Sequence, residues 1–221
     1  ACAALYSAMA HRGYFDPKEL STFREFNSRL QGHPDSVKLP GVEVPAGPLG
    51  HGVAIGTGLA LGLRKAGKPS AMSAPSARAA SANVYVVLGD GEINAGVIWE
   101  GVMAAYKFKV GNLTAILDYN GIQQTGATAD TLPTEPIADK WESFGWHVQE
   151  VHGHNVQELM NALDRADEVH AKPSVIIARS TKGKGVSLFE YDHRWHGAPP
   201  SKEQYELASK ELEEGMKQWQ N

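Results

Sequence analysis

The sequence predicts an α/β protein built on a parallel sheet with helices on both faces. Two observations carry that expectation. Short, nearly continuous apolar runs recur at Val84–Leu88, Leu113–Tyr119 and Ser174–Ala178, as strands buried in a parallel sheet do. Segments with helical spacing of apolar residues lie between them, so strand and helix alternate as in βαβ units.

In chain order, residues 2–12 and 17–30 read as helical, in a region unlike the rest. Gly50–Arg64 (GHGVAIGTGLALGLR) reads as a helix with Gly52 four residues from Gly56 and Gly58 four from Gly62. That spacing lets a helix approach another backbone closely, either against the sheet or across a subunit interface. No strand precedes these glycines and they do not fit G-x-G-x-x-G, so they are not a dinucleotide fingerprint. Residues 67–83 (GKPSAMSAPSARAASAN) are small and polar and are expected to form a flexible loop insertion. After the strand Val84–Leu88, Val97–Lys109 reads as a helix with Val97, Gly101, Ala104, Ala105 and Phe108 on one side. Leu113–Tyr119 and Trp146–Val151 are the second and third strands. Val156–His170 is amphipathic through Val156, Leu159, Met160 and Leu163, and Ser174–Ala178 is the fourth strand. Residues 202–219 form a charged C-terminal helix whose candidate packed face is Tyr205, Leu212, Met216 and Trp219. One domain over residues 1–221 is expected.

The chain has 221 residues and a net charge of -4. It has no long Lys/Arg stripe, which argues against a nucleic-acid partner. Cys2 is the only cysteine, so there is no disulfide framework and no cysteine-based zinc site. No apolar run reaches the ~20 residues of a membrane span, and no signal-peptide pattern is present. Cytoplasmic localisation is expected. The sequence opens on Ala1 inside a helical pattern, so further sequence is expected before it.

The chemistry concentrates at strand ends. Asp90, in Gly89-Asp90-Gly91, follows the first strand, and Asn120, in LDYNGIQQTG, follows the second. An acidic residue there is either a helix cap or a metal ligand. In parallel sheets ligands bind beyond the carboxyl ends of the strands. A carboxylate from Asp90, an amide oxygen from Asn120 and a main-chain carbonyl such as that of Ile122 are hard ligands that suit Mg²⁺ or Ca²⁺. Gly89 and Gly91 remove side chains where a phosphate would come close.

Around these residues stand RGYFDPKELSTFREFNSRLQGHPD, LPGVEVPAGPLGHG, GDGEINAGVIWEGVMAAYKF, NLTAILDYNGIQQTG, FGWHVQEVHGH and TKGKGVSLFE followed by RWHGAPPS. Gly-Asp-Gly with the later Asn resembles the thiamine diphosphate motif. The whole series resembles the N-terminal, diphosphate-binding part of transketolase over nearly the entire chain. The resemblance implies thiamine diphosphate as cofactor and a metal, Mg²⁺ with Ca²⁺ possible, held by Asp90, Asn120 and the carbonyl of Ile122. It implies a diphosphate contact at Gly91 and cofactor contacts from Gly47 and Leu49. It places His33 at the substrate and His196 at the diphosphate or the substrate's reacting oxygens. Lys182 and Lys184 read either as anion contacts or as a solvated loop. His11, His147, His152, His170 and His193 read as structural.

The implied activity is transfer of a two-carbon ketol unit from a ketose phosphate to an aldose phosphate, as in the pentose phosphate pathway. The family's acid beside the pyrimidine ring comes from a second domain. The resemblance therefore implies either a fragment or a split enzyme. The split form would pair this chain with a separate C-terminal subunit, in a heterotetramer of two chains of each kind. Two positions depart from the family pattern. Ala95 stands where a glutamate links the two active sites, although Glu100 is retained. His51 stands where glutamine is common, and either contacts substrate or replaces the amide's hydrogen bond. The competing readings are a deoxyxylulose-phosphate synthase-like or 2-oxo-acid dehydrogenase-like enzyme, a non-catalytic cofactor-binding scaffold, and a magnesium–nucleotide binder. GHPD, KGKGV and WHGAPP argue against the first.

Overall fold

The computed structural model describes residues 2–66 and 82–219. The expected loop insertion at 67–83 lies, except for Ala82 and Asn83, outside the described residues. The chain divides into two compact units, Ala1–Leu49 and Gly50–Asn221.

In the first unit, α1 (Cys2–His11) is followed by a 3₁₀ helix at Pro17–Thr22. Asp16 caps that short helix by accepting from Lys18 N at 2.9 Å. Residues 17–30 do not continue as the helix expected of them. Phe23 turns extended, and Arg24 and Asn27 adopt φ of 63° and 64°, a left-handed conformation that ends a right-handed helix. The unit closes on Tyr6, Met9, Phe15, Leu30, Leu39 and Val42. The Tyr6 hydroxyl donates to Gln31 O at 2.7 Å, and Arg29 pairs with Glu19 through two bonds of 2.8 and 2.7 Å.

The second unit holds the sheet. Its strands are β1 (Val84–Gly89), β2 (Leu113–Tyr119), β3 (His147–His152) and β4 (Ser174–Arg179), ordered β1-β2-β4-β3 and all parallel. The helices are α2 (Gly52–Ala66), α3 (Gly96–Lys107), the short α4 (Thr128–Thr131), α5 (Ile137–Ser143), α6 (Val156–Asp167) and α7 (Lys202–Trp219). The strand order decides which face each helix covers. The chain moves one way across the sheet from β1 to β2 to β3, then back to β4. A right-handed crossover that reverses direction must pass over the opposite face. Accordingly α2, α3 and α5 share a core with Leu88, Leu117, Val175 and Ile177. Ala162 and Ala166 of α6 pack on the other face, against Val151, Ile176 and Ala178. Alternation along β4 sends Val175 and Ile177 to one face and Ile176 and Ala178 to the other.

Three helix faces differ from the sequence pattern. On α3 the buried stripe is Ile98, Gly101, Val102 and Ala105, about one position round from the one expected. The contact is centred on Gly101, where a Cβ would stand 3.0 Å from Ala54 N. Phe108 lies past the helix end and is 51% exposed. On α6 the small Ala162 and Ala166 meet the sheet, with Leu159 and Leu163 flanking them. Alanine lets the helix come close, and Val156 and Met160 are left exposed. Among the described side chains of α7 the buried one is Ala208, while Tyr205, Leu212 and Met216 are exposed.

The glycines of α2 divide by side. A Cβ at Gly56 would stand 2.7 Å from Val86 Cγ2 and 3.1 Å from Leu113 Cδ1, whereas one at Gly58 would meet nothing within 4 Å. Gly56→Ala is expected to destabilise the purified chain by about 1–3 kcal/mol through overpacking. Gly58→Ala should instead stabilise it by about 0.5–1 kcal/mol by relieving the helix of a glycine. Urea unfolding of both variants checks this; equal shifts would show that Gly56 is not tightly packed.

Candidate functional site

The four strands end on one edge of the sheet, with Gly89 of β1 directly opposite Asp118 of β2. Asp90 and the Asn120 turn therefore leave adjacent strands side by side. Asp90 is 2% exposed. Its Oδ1 accepts from Gly91 N at 2.8 Å, and its Oδ2 accepts from Gly121 N at 2.6 Å and Thr128 Oγ1 at 3.4 Å. It does not cap a helix. The 3₁₀ helix Glu92–Asn94 has Gly91 at its N-cap and α3 has Ala95, neither with a side-chain capping bond. Burial raises the Asp90 pKa, the charge of Asp118 raises it further, and the bonds from Gly121, Gly91 and Thr128 oppose the shift. The carboxylate is thus desolvated among neutral donors, an arrangement that a bound cation would complement.

Asn120 is half-buried. Its Oδ1 accepts from Ile122 N at 3.0 Å and its Nδ2 donates to Asp118 Oδ2 at 3.2 Å. Gly121 takes φ 74°, which bends the chain back so that Ile122 bridges Ala127 and Thr128 N donates to Gly121 O at 2.8 Å. A Cβ at Gly89 or Gly121 would meet nothing within 4 Å, while one at Gly91 would stand 3.1 Å from Gln123 Cγ. The space over Gly89 is open to a ligand. One carboxylate, one amide oxygen and a carbonyl from this turn match the preferences of Mg²⁺, which keeps waters and phosphate in its remaining positions. Among the described residues no three His, Cys, Asp or Glu side chains are grouped so as to hold a metal ion; the donor set at Asp90 has a different composition.

Glu92 adds a feature without a motif signal. Its Oε1 accepts from Gly50 N at 2.8 Å and its Oε2 from Gly89 N at 3.1 Å. Gly50, at φ +87°, sits so close that a Cβ would stand 3.0 Å from Ala95 Cβ and 2.7 Å from Val97 Cγ1. The small side chain at Ala95 is part of what admits this approach. Sequence alone does not separate Glu92 from an ordinary first-turn acid.

His196 closes the 3₁₀ helix His193–His196, in the segment that follows β4. Partial desolvation lowers its pKa, and the charge of Lys182 adds to the effect. Both favour the neutral imidazole, which carries one donor and one acceptor. Lys184 pairs with Glu190 at 3.4 Å. In the first unit, Ala46 N donates to Pro34 O at 3.1 Å, which brings the GHP turn against AGPLG. A Cβ at Gly47 would stand 2.7 Å from His33 Cδ2, so the two residues are in direct contact and a larger side chain at 47 would displace the imidazole. Leu49 and His51 are exposed. His147 bonds Ser174 Oγ at 3.3 Å, and burial foremost lowers its pKa, in keeping with a structural role.

The sequence matches the family described as "Transketolase, thiamine diphosphate binding domain" over residues 1–219. It is 37% identical to one subunit of an apulose-4-phosphate transketolase from Phocaeicola vulgatus, over 96% of this chain and 70% of that protein. It is 36% identical to a 6-deoxy-6-sulfo-D-fructose transketolase subunit from a Clostridium species, over 95% of this chain and 72% of that protein. Among solved structures, a Pichia stipitis transketolase variant in complex with fructose 6-phosphate superposes with a TM-score of 0.86 at 32% identity, covering 96% of this chain and 31% of that one.

Asp90→Ala is expected to abolish Mg²⁺-dependent binding of thiamine diphosphate while the fold persists. Calorimetric titration measures this; unchanged affinity would remove Asp90 from the metal. A ligand must lose its proton to bind a metal, and the folded Asp90 pKa is raised. Mg²⁺ affinity should therefore weaken on acidification at a pH above the ordinary carboxylate range.

Proposed function

The chain belongs to the transketolase family, in its thiamine diphosphate-binding part, and on that premise we propose that it is the cofactor-holding subunit of a transketolase. It would move a two-carbon ketol unit from a ketose phosphate to an aldose phosphate with thiamine diphosphate and Mg²⁺. The observation that carries this reading is the desolvated Asp90 carboxylate bonded to the Asn120–Thr128 turn.

When bound, thiamine diphosphate supplies the nucleophilic carbon at which the donor ketose is cleaved. In the proposal Asp90, Asn120 and the Ile122 carbonyl would hold Mg²⁺, Gly89 would leave room for the diphosphate and Gly91 would contact it. Gly47 and Leu49 would supply contacts to the cofactor. His33 and His196 donate hydrogen bonds to oxygens that gain charge during the reaction, and the lowered pKa of His196 leaves it a single N–H to aim. Lys182 is proposed as an anion contact. The pairing of Lys184 with Glu190 supports the solvated-loop reading for that residue.

The relatives' names support a partner, because they are called subunits. We propose a second chain that carries the pyrimidine-side domain, assembled two-and-two as a heterotetramer in the cytoplasm. No described helix is long and apolar enough to cross a membrane. Relatives named for apulose 4-phosphate and for a sulfo-sugar support ketoses with an anionic distal group as the substrate class. The specific sugars, and membership of the pentose phosphate pathway, would follow from that group's contacts.

His33→Ala and His196→Ala are each expected to lower kcat by about 10²–10³-fold, the usual cost of one lost donor to a developing oxyanion, with cofactor affinity changed far less. Steady-state kinetics with near-normal kcat would return both residues to structural roles. The purified chain alone should transfer no ketol unit. Adding the pyrimidine-domain subunit should restore transfer, with assembly followed by light scattering. Turnover by the chain alone at about 1–10³ per second would refute the partner requirement.

A further inference from the structure

The segment after β4 is closed on itself. Lys184 N donates to Thr181 O at 3.2 Å, Val186 N to Gly183 O at 3.2 Å, and Tyr191 N to Lys182 O at 3.1 Å. Gly183, at φ 74°, lies so near Phe189 that any side chain there would collide with its carbonyl. The Phe189 and Trp195 rings pack at 4.7 Å. These contacts set the internal shape of the segment. Its placement on the sheet depends on others. Glu211 of α7 accepts from Ser187 N and Oγ on the far side, both at 2.6 Å. At the near side Ser180 N donates to Tyr119 O at 3.1 Å, and Thr181 N donates to His154 Nε2 at 2.7 Å.

His154 is half-buried in the turn after β3, the strand beside β4. The two turns are in contact: Gly153 N donates to Arg179 O at 2.7 Å, and a Cβ at Gly153 would stand 2.9 Å from Ser180 Cβ. In the bond from Thr181 N, His154 Nε2 is the acceptor. The residue after Thr181 is Lys182, whose charge acts on His196.

We propose that His154 is a positioning residue: by accepting the Thr181 N–H it fixes where the Lys182–His196 segment stands over the strand ends. The proposal rests on the reading of His196 as a catalytic group. A glutamine can place Oε1 near the Nε2 position and accept the same bond, whereas alanine cannot.

The test has two arms. Hydrogen exchange at the Thr181 amide, read by NMR on the purified chain, should accelerate about tenfold in His154→Ala, as for one lost hydrogen bond, and return towards wild type in His154→Gln. In the assembled enzyme His154→Ala should lower kcat by up to about 10²-fold, the cost of misplacing a catalytic group, with KM for the donor sugar little changed. His154→Gln should recover most of it. Unchanged exchange in His154→Ala would overturn the proposal whatever the kinetics. Faster exchange with full kcat, beside a His196→Ala variant that is inactive, would overturn the positioning role alone. Full kcat in both variants would overturn the reading of His196 itself.

Discussion

The working edge of the sheet depends on one buried carboxylate. Asp90 leaves β1 with almost no exposed surface and anchors the turn that follows β2 through Gly121 N and Thr128 Oγ1. If it withdrew, it would leave a partly buried main-chain N–H and the hydroxyl of the buried Thr128 short of a partner, which costs more than the bonds themselves contribute. The carboxylate in turn has only neutral donors to offset its desolvation. The Asn120 turn is therefore shaped by a charge that the described part of the chain does not neutralise. The proposed metal supplies the missing half of that balance.

Topology then distributes roles along the edge. Because β1 and β2 are neighbours and β4 lies between β2 and β3, the turns after β1 and β2 form one group. Those after β3 and β4 form another. Ser180 stitches the two groups together: its hydroxyl bonds Asp118 and its N–H bonds Tyr119 O. Glu92 works in the same way on the other side, joining Gly50 N to Gly89 N with its two oxygens. A few polar side chains thus connect segments that are far apart in sequence.

The strands, and the adjacency of the two strand ends that carry Asp90 and Asn120, were legible in the sequence. A parallel strand buried on both faces, as β2 and β4 largely are, leaves a continuous apolar run, whereas the similar run of β1 leaves Tyr85 and Val87 exposed on one face, and ligands bind beyond the carboxyl ends of such strands. The helix faces were less legible. Periodicity ranks positions by hydrophobicity, whereas α3 and α6 make their closest contacts through Gly101, Ala162 and Ala166, where small size allows approach. Residues 17–30 carry helical composition, but left-handed conformations at Arg24 and Asn27 have no composition signal. Glu92 and His154 were hidden for a related reason. Each acts by accepting main-chain N–H bonds from a distant segment, and main-chain donors have no letter in the sequence.

The turn that Asp90 anchors is held by four bonds from within the chain: Gly121 to Asp90, Ile122 to Asn120, Gln123 N to Gly126 O, Thr128 N to Gly121 O. Those bonds reduce what a ligand arriving there has to order. The entropy of fixing the loop has been spent in folding, so binding free energy is not diverted into it. Selectivity at the turn then resembles that of a rigid socket, in which size and charge are judged on entry, rather than that of a flap that closes around whatever has arrived.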